Sequence, residues 1–125
     1  KPGEHGSTFG GNPLGCAVSR ESLFVIREEK LVENAAERGQ SFMDKLRKVR
    51  SRHIKEVRGR GLLIGIELHP GAGGARRFCE ELMKEGLLCK ETHDNVIRLA
   101  PPLIIREKDL NWALKRIKTV FKRLA

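Results

Sequence analysis

Ile54–Leu68 reads IKEVRGRGLLIGIEL, and its two halves behave differently. Ile54-Lys-Glu-Val-Arg58 alternates apolar and polar residues, the period of a half-buried strand. Gly59-Arg60-Gly61 breaks the alternation, and Leu62–Leu68 resumes as a more deeply buried strand. Two strands closed around Gly-Arg-Gly read as a hairpin or a sharp corner. Gly65, inside the second strand, points to close approach by another backbone.

Helical patterns flank this hairpin. Towards the N-terminus, Asn12 to about Glu29 carries Leu14, Ala17, Val18, Val25 and Ile26 on one face, with Asn12 as N-cap and Pro13 at the first helical position. After a short break at Lys30-Leu31, a second helix is expected to about Arg50, its stripe running Leu31, Ala35, Gly39, Phe42, Leu46, Val49. Towards the C-terminus, His69–Gly74 reads as a loop. Ala75, Phe78, Cys79, Leu82 and Met83 form a helical stripe, and Gly86 sits where a stop belongs. Leu87–Lys90 and Asn95–Ala100 read as short strands joined by Glu91–Asp94, ended by Pro101-Pro102. Glu107 to about Leu124 closes the chain as a helix. The order α-α-β-β-α-β-β-α predicts an α+β layer: a small, mostly antiparallel sheet with helices on one face, preceded by a long linker helix. The domains expected are 1–30, a loop with its linker helix, and 31–125.

Composition bounds the function classes. The 125 residues are one domain's worth, 39% hydrophobic, with no run approaching a membrane span. The chain starts at Lys1 inside what reads as a functional loop, so a longer parent polypeptide is expected. Cys16, Cys79 and Cys89 have neither CxxC nor zinc-finger spacing, so reduced, buried or semi-buried thiols in a cytoplasmic protein are expected. Net charge +9 raises a different class, a basic nucleic-acid-binding module. Yet Lys and Arg interleave with Asp and Glu, only Lys45–Lys55 and Lys115–Arg123 are locally basic, and Tyr is absent. A solvated surface, or one meeting an acidic partner segment, is favoured over nucleic acid.

Two places can hold an anion. Gly3–Gly15, GEHGSTFGGNPLG, sets Ser7 and Thr8 among five glycines ahead of a helix start. It is either a donor-rich phosphate loop or a plain glycine-rich connector. It matches neither GxxxxGK[ST] nor GxGxxG. Arg98, in Val96-Ile-Arg-Leu-Ala-Pro-Pro-Leu103, either decorates the outward face of an edge strand or stands at a cleft rim. There its planar fork can take a carboxylate bidentately. Arg58 and Arg60 bracket Gly59 and more often would decorate a turn. Lys90 follows a strand without surroundings that single it out. The four histidines are scattered, and no metal site is expected.

Beyond these patterns, His5–Val18 (HGSTFGGNPLGCAV), Glu28–Ala35 (EEKLVENA), Lys55–Leu68 and Glu85–Ile105 (EGLLCKETHDNVIRLAPPLII) resemble the class III aminotransferases. These are pyridoxal-phosphate enzymes of fold type I. The likeness runs in order across essentially the whole chain. Within the family, the CKETHDNVIR…APPL block is most similar to the ornithine-type members. Acetylornithine and 4-aminobutyrate enzymes share the HGSTFGGNP and VRGRG blocks.

The resemblance implies the C-terminal small domain of a homodimeric enzyme. Such an enzyme moves the δ-amino group of ornithine to 2-oxoglutarate, giving glutamate semialdehyde and glutamate. It implies that Thr8, with Ser7 beside it, reaches the phosphate of the neighbouring subunit's pyridoxal 5'-phosphate. It also implies that Arg98 holds the α-carboxylate of glutamate or 2-oxoglutarate. The Schiff-base lysine lies upstream in the family and Lys90 does not match it. No residue of this chain is therefore expected to be catalytic, and the segment alone is expected to be inactive. Neither nucleic acid nor membrane is an expected partner.

Overall fold

The computed structural model describes residues 3–125; residues 1 and 2, which open the first expected domain, lie outside the described residues. The chain divides into two units, 1–31 and 32–125. In the first, α1 (Pro13–Glu28) begins at Asn12, whose side-chain oxygen accepts the Gly15 amide at 2.8 Å. That bond satisfies one of the orphan donors of the first turn. No residue of α1 is buried, and Cys16, expected buried or semi-buried, is exposed.

The second unit is the expected α+β layer. It runs α2 (Leu31–Arg47), β1 (Ile54–Arg60), β2 (Leu63–Leu68), a 3₁₀ turn at Pro70–Ala72, α3 (Ala75–Lys84), β3 (Lys90–Thr92), β4 (Val96–Leu99) and α4 (Glu107–Arg123). The strands form one antiparallel sheet in the order β1-β2-β4-β3. Alternation sorts its two faces, as in antiparallel sheets with one dry side. Val57, Ile64, Ile66, Ile97 and Leu99 turn inward to meet Phe42 and Leu46 of α2, Phe78 and Leu82 of α3, and Ile117 and Phe121 of α4. Phe78 and Phe121 stack at the centre with ring centroids 4.9 Å apart. The carbonyl of Leu124 can only accept, so the buried His53 donates its Nε2–H there at 2.8 Å and ties the end of α4 to the start of β1.

Several boundaries differ from the sequence reading, each for a local reason. β1 runs through Gly59 and Arg60, and the break is the two-residue turn Gly61-Leu62. Gly61 has φ +55 while Leu62 is not among the positive-φ residues, the φ pattern of a type II′ hairpin. Helix α2 stops at Arg47, and β3 starts only at Lys90. Leu87 is taken by the stop of α3, where its amide and that of Gly86 bond the carbonyls of Leu82 and Met83, both at 2.9 Å. The following turn holds His93 and Asp94 at φ +49 and +57, so Glu91 and Thr92 pair in the ladder instead of looping.

The expected backbone approach at Gly65 is also relocated. A Cβ at Gly65 would meet the Val96 side chain at 3.3 Å and the Arg58 carbonyl oxygen only at an ordinary 3.8 Å, whereas one at Gly39 would fall 1.9 Å from the carbonyl oxygen of Gly61. Ala35, Gly39 and Met43, four residues apart along α2, form the stripe that receives the hairpin at Gly59 and Gly61.

Candidate functional site

Register places the candidate residues of the second unit. Arg58, Gly65, Arg98 and Lys90 are directly opposed from strand to strand and form one row on the outward face. Arg98 is exposed and flanked on its own strand by buried Ile97 and Leu99. β4 lies inside the sheet, between β2 and β3, so Arg98 is not an edge-strand decoration. A paired strand on each side fixes its backbone, and the guanidinium rises from a rigid floor.

The other two cations of the row are engaged. Arg58 pairs with Glu56 at 3.2 Å and with Glu67. Lys90 pairs with Glu91 at 2.8 Å. A register shift between Ile54 and Glu56 brings the Lys55 ammonium within 2.6 Å of the same Glu67. Glu67 is therefore held below the usual carboxylate range, first by the hydrogen bond from Lys55 and then by that from Arg58. The Glu67 hydrogen bond in turn raises Arg58. Among the described residues no ion pair joins Arg98. Gly65 contributes no side chain between Arg58 and Arg98, which stand two strand spacings apart, about 10 Å. The row thus presents one free planar fork beside neutralised neighbours, over bare backbone. A carboxylate is the group that fits it.

Ser7 and Thr8 belong to the first unit. Ser7 Oγ accepts the Gly10 amide at 2.9 Å and keeps its own O–H to donate. Asn12 bonds outward to the Phe9 carbonyl at 2.6 Å and inward to Gly15, so the helix start is capped by its own side chain. Anion-holding capacity in this loop therefore rests on the Ser7 and Thr8 hydroxyls more than on the helix end. Ser7 and Arg20 are among the residues that line one surface depression of this unit. This donor set suits a phosphate.

Lys90 is exposed and its ammonium is paired with Glu91, and no group of three or more His, Cys, Asp or Glu among the described residues can hold a metal. No helix among them is long and apolar enough to cross a membrane. Sequence reasoning missed Gly65 as a member of the Arg98 row and Glu67, two residues on along the same face, as the carboxylate that occupies Arg58. Their period-2 spacing was the available signal, but it acquires meaning only from cross-strand register.

The chain's comparisons point one way. The family model described as aminotransferase class-III matches residues 1–121. Over 120 residues the chain is 62% identical to a Geobacillus protein named ornithine aminotransferase, covering 96% of this chain and 29% of that protein. Its Bacillus subtilis namesake is 59% identical over 121 residues, 97% of this chain and 29% of that protein. The chain thus spans less than a third of the curated relatives it matches. Among solved structures, ornithine aminotransferase from Plasmodium yoelii superposes with TM-score 0.91 at 39% identity, over 100% of this chain and 34% of that one. Acetylornithine aminotransferase from Elizabethkingia anophelis gives 0.87 at 43% identity, over 98% and 32%.

Proposed function

Since this chain belongs to the class-III aminotransferases, we propose that it serves an ornithine aminotransferase, moving the δ-amino group of ornithine to 2-oxoglutarate to give glutamate semialdehyde and glutamate. The observation that carries the reading is Arg98, the fork left free in a row whose other cations are paired. Identities of 56–62% to proteins named ornithine aminotransferase support it. In this reading Arg98 binds and orients the α-carboxylate of 2-oxoglutarate or glutamate. Pyridoxal 5'-phosphate, when bound, supplies the electron sink on which the amino group changes hands. Thr8 donates its hydroxyl to the cofactor phosphate across a homodimer, with Ser7 beside it. Residues 1–30 act as phosphate loop and linker helix, and 31–125 as the small domain.

The full-length enzyme tests the assignment. With 2-oxoglutarate as acceptor, glutamate should form faster from ornithine than from N-acetylornithine. The reverse preference would favour acetylornithine transfer, the reading that the Elizabethkingia likeness supports. A basic nucleic-acid module finds no support in the sheet face, where Lys55 and Arg58 are taken by Glu67.

Thr8→Val in that enzyme is expected to weaken pyridoxal-phosphate binding by roughly 10- to 100-fold, the size of one hydrogen bond to a charged group. Cofactor titration followed by absorbance measures it. Wild-type affinity in the variant would remove Thr8 from the phosphate site.

A further inference from the structure

Arg58 and Arg98 rise from the same outward face with only Gly65 between them, about 10 Å apart. A guanidinium reaches several ångströms from its Cα, and Gly65 puts no side chain in the way. Two free forks at that spacing could take both ends of a five-carbon dicarboxylate and lay it lengthwise across the bare backbone. Glu67 stands against this. It lies two residues beyond Gly65 on the same face of β2, with its side chain only 21% exposed. Its two oxygens are divided between two cations: Oε1 accepts from Lys55 at 2.6 Å and Oε2 accepts from Arg58. Glu56 accepts from the same Arg58 nitrogen at 3.2 Å, but its side chain is 54% exposed and open to competition from water and salt. Glu67 is therefore the better sheltered of the two partners that engage Arg58.

We propose that Glu67 is a specificity-determining residue: by holding Arg58 it leaves Arg98 as the single carboxylate anchor of this face, so that a dicarboxylate is gripped at one end and cannot lie between two forks. The inference rests on the reading of Arg98 as a carboxylate anchor. A 2-oxo acid held at one end can swing its carbonyl carbon away from the sheet. Held at both ends, it would be fixed along the strands. Glu67 thus acts on the substrate through Arg58, and Gly65 keeps the floor between the forks empty.

The test is binding of butyrate and of glutarate, a monocarboxylate and a dicarboxylate, to the whole chain. Nitrogen–proton correlation spectra of the arginine side chains read it, at physiological salt that screens charges more than about 8 Å apart. In the wild-type chain both acids should shift the Arg98 signal and leave that of Arg58 in place. In Glu67→Gln, glutarate should move both signals and tighten about three- to fivefold relative to butyrate, the upper range of an exposed ion pair. Adding Arg58→Gln to that variant should return the ratio to wild type. Glu56→Gln changes the charge equally and should leave the ratio near wild type. Arg58→Gln alone should leave it unchanged, an arm that does not depend on the Glu67 variant folding. An Arg58 signal that follows glutarate in the wild-type chain, an equal gain in Glu56→Gln, or no gain in a folded Glu67→Gln would overturn the inference while leaving Arg98 as the anchor. Butyrate leaving the wild-type Arg98 signal unmoved would remove the anchor itself, and the inference with it.

Discussion

Replacing Arg98 with alanine in the full-length enzyme should lower kcat/KM for 2-oxoglutarate by roughly 30- to 5,000-fold. This is the range of about 2–5 kcal/mol for removing one partner of a hydrogen-bonded charge pair. The half-reaction with ornithine should change much less, because the fork's assigned target is the α-carboxylate of the oxo-acid and its glutamate product. Single-turnover rates of the two half-reactions, measured separately, give the split. The side chain is exposed and no ion pair among the described residues depends on it, so folding should be unaffected within about 0.5 kcal/mol. Arg98→Lys sharpens the test. It keeps the charge and loses the planar two-donor geometry, and should recover only part of the oxo-acid rate. Equal losses in both half-reactions for Arg98→Ala would refute the assignment.

The parts of this site that were legible in the chain are those whose signal is local. Alternation in Ile54–Arg58 and the apolar run Leu62–Leu68 mark two strands, and Val57, Ile64 and Ile66 of those strands lie on the sheet's buried face. Glu107–Arg123 shows its helix because acidic residues open it, basic residues close it, and six apolar positions fall at helical spacing. Leu87–Cys89 misleads because an apolar run before a charged residue looks like a strand, while the stop after Gly86 uses Leu87 to close α3. The fate of Arg98 was half legible. Its own strand could be read, but that Arg58 is occupied and Gly65 lies bare beside it depends on which residues stand opposite across three strands. No window along the chain contains that information.

Gly39→Ala should destabilise the chain by about 2 kcal/mol or more, although the exchange favours a helix everywhere else. In an open helical position alanine gains about 1 kcal/mol over glycine. At Gly39 the added methyl would lie 1.9 Å from the carbonyl oxygen, 2.2 Å from the carbonyl carbon and 2.8 Å from the Cα of Gly61. None of these atoms belongs to a side chain that can rotate away. Gly61 is itself held at φ +55 as the first turn residue of the β1–β2 hairpin, so it cannot retreat without changing the turn. The helix must therefore lift from the hairpin, loosening Met43 and Phe42 from the core they share with Ile64 and Leu99. Overpacking of this kind costs about 1–3 kcal/mol where side chains can adjust, and more where backbone meets backbone. Denaturant midpoints of the two chains measure the difference, with Gly6→Ala as control, since a methyl there meets nothing within 4 Å. A Gly39→Ala midpoint at or above wild type would show that α2 does not rest on the hairpin. An unchanged midpoint for Gly6→Ala beside a clear loss for Gly39→Ala locates the effect in that backbone contact rather than in helix propensity.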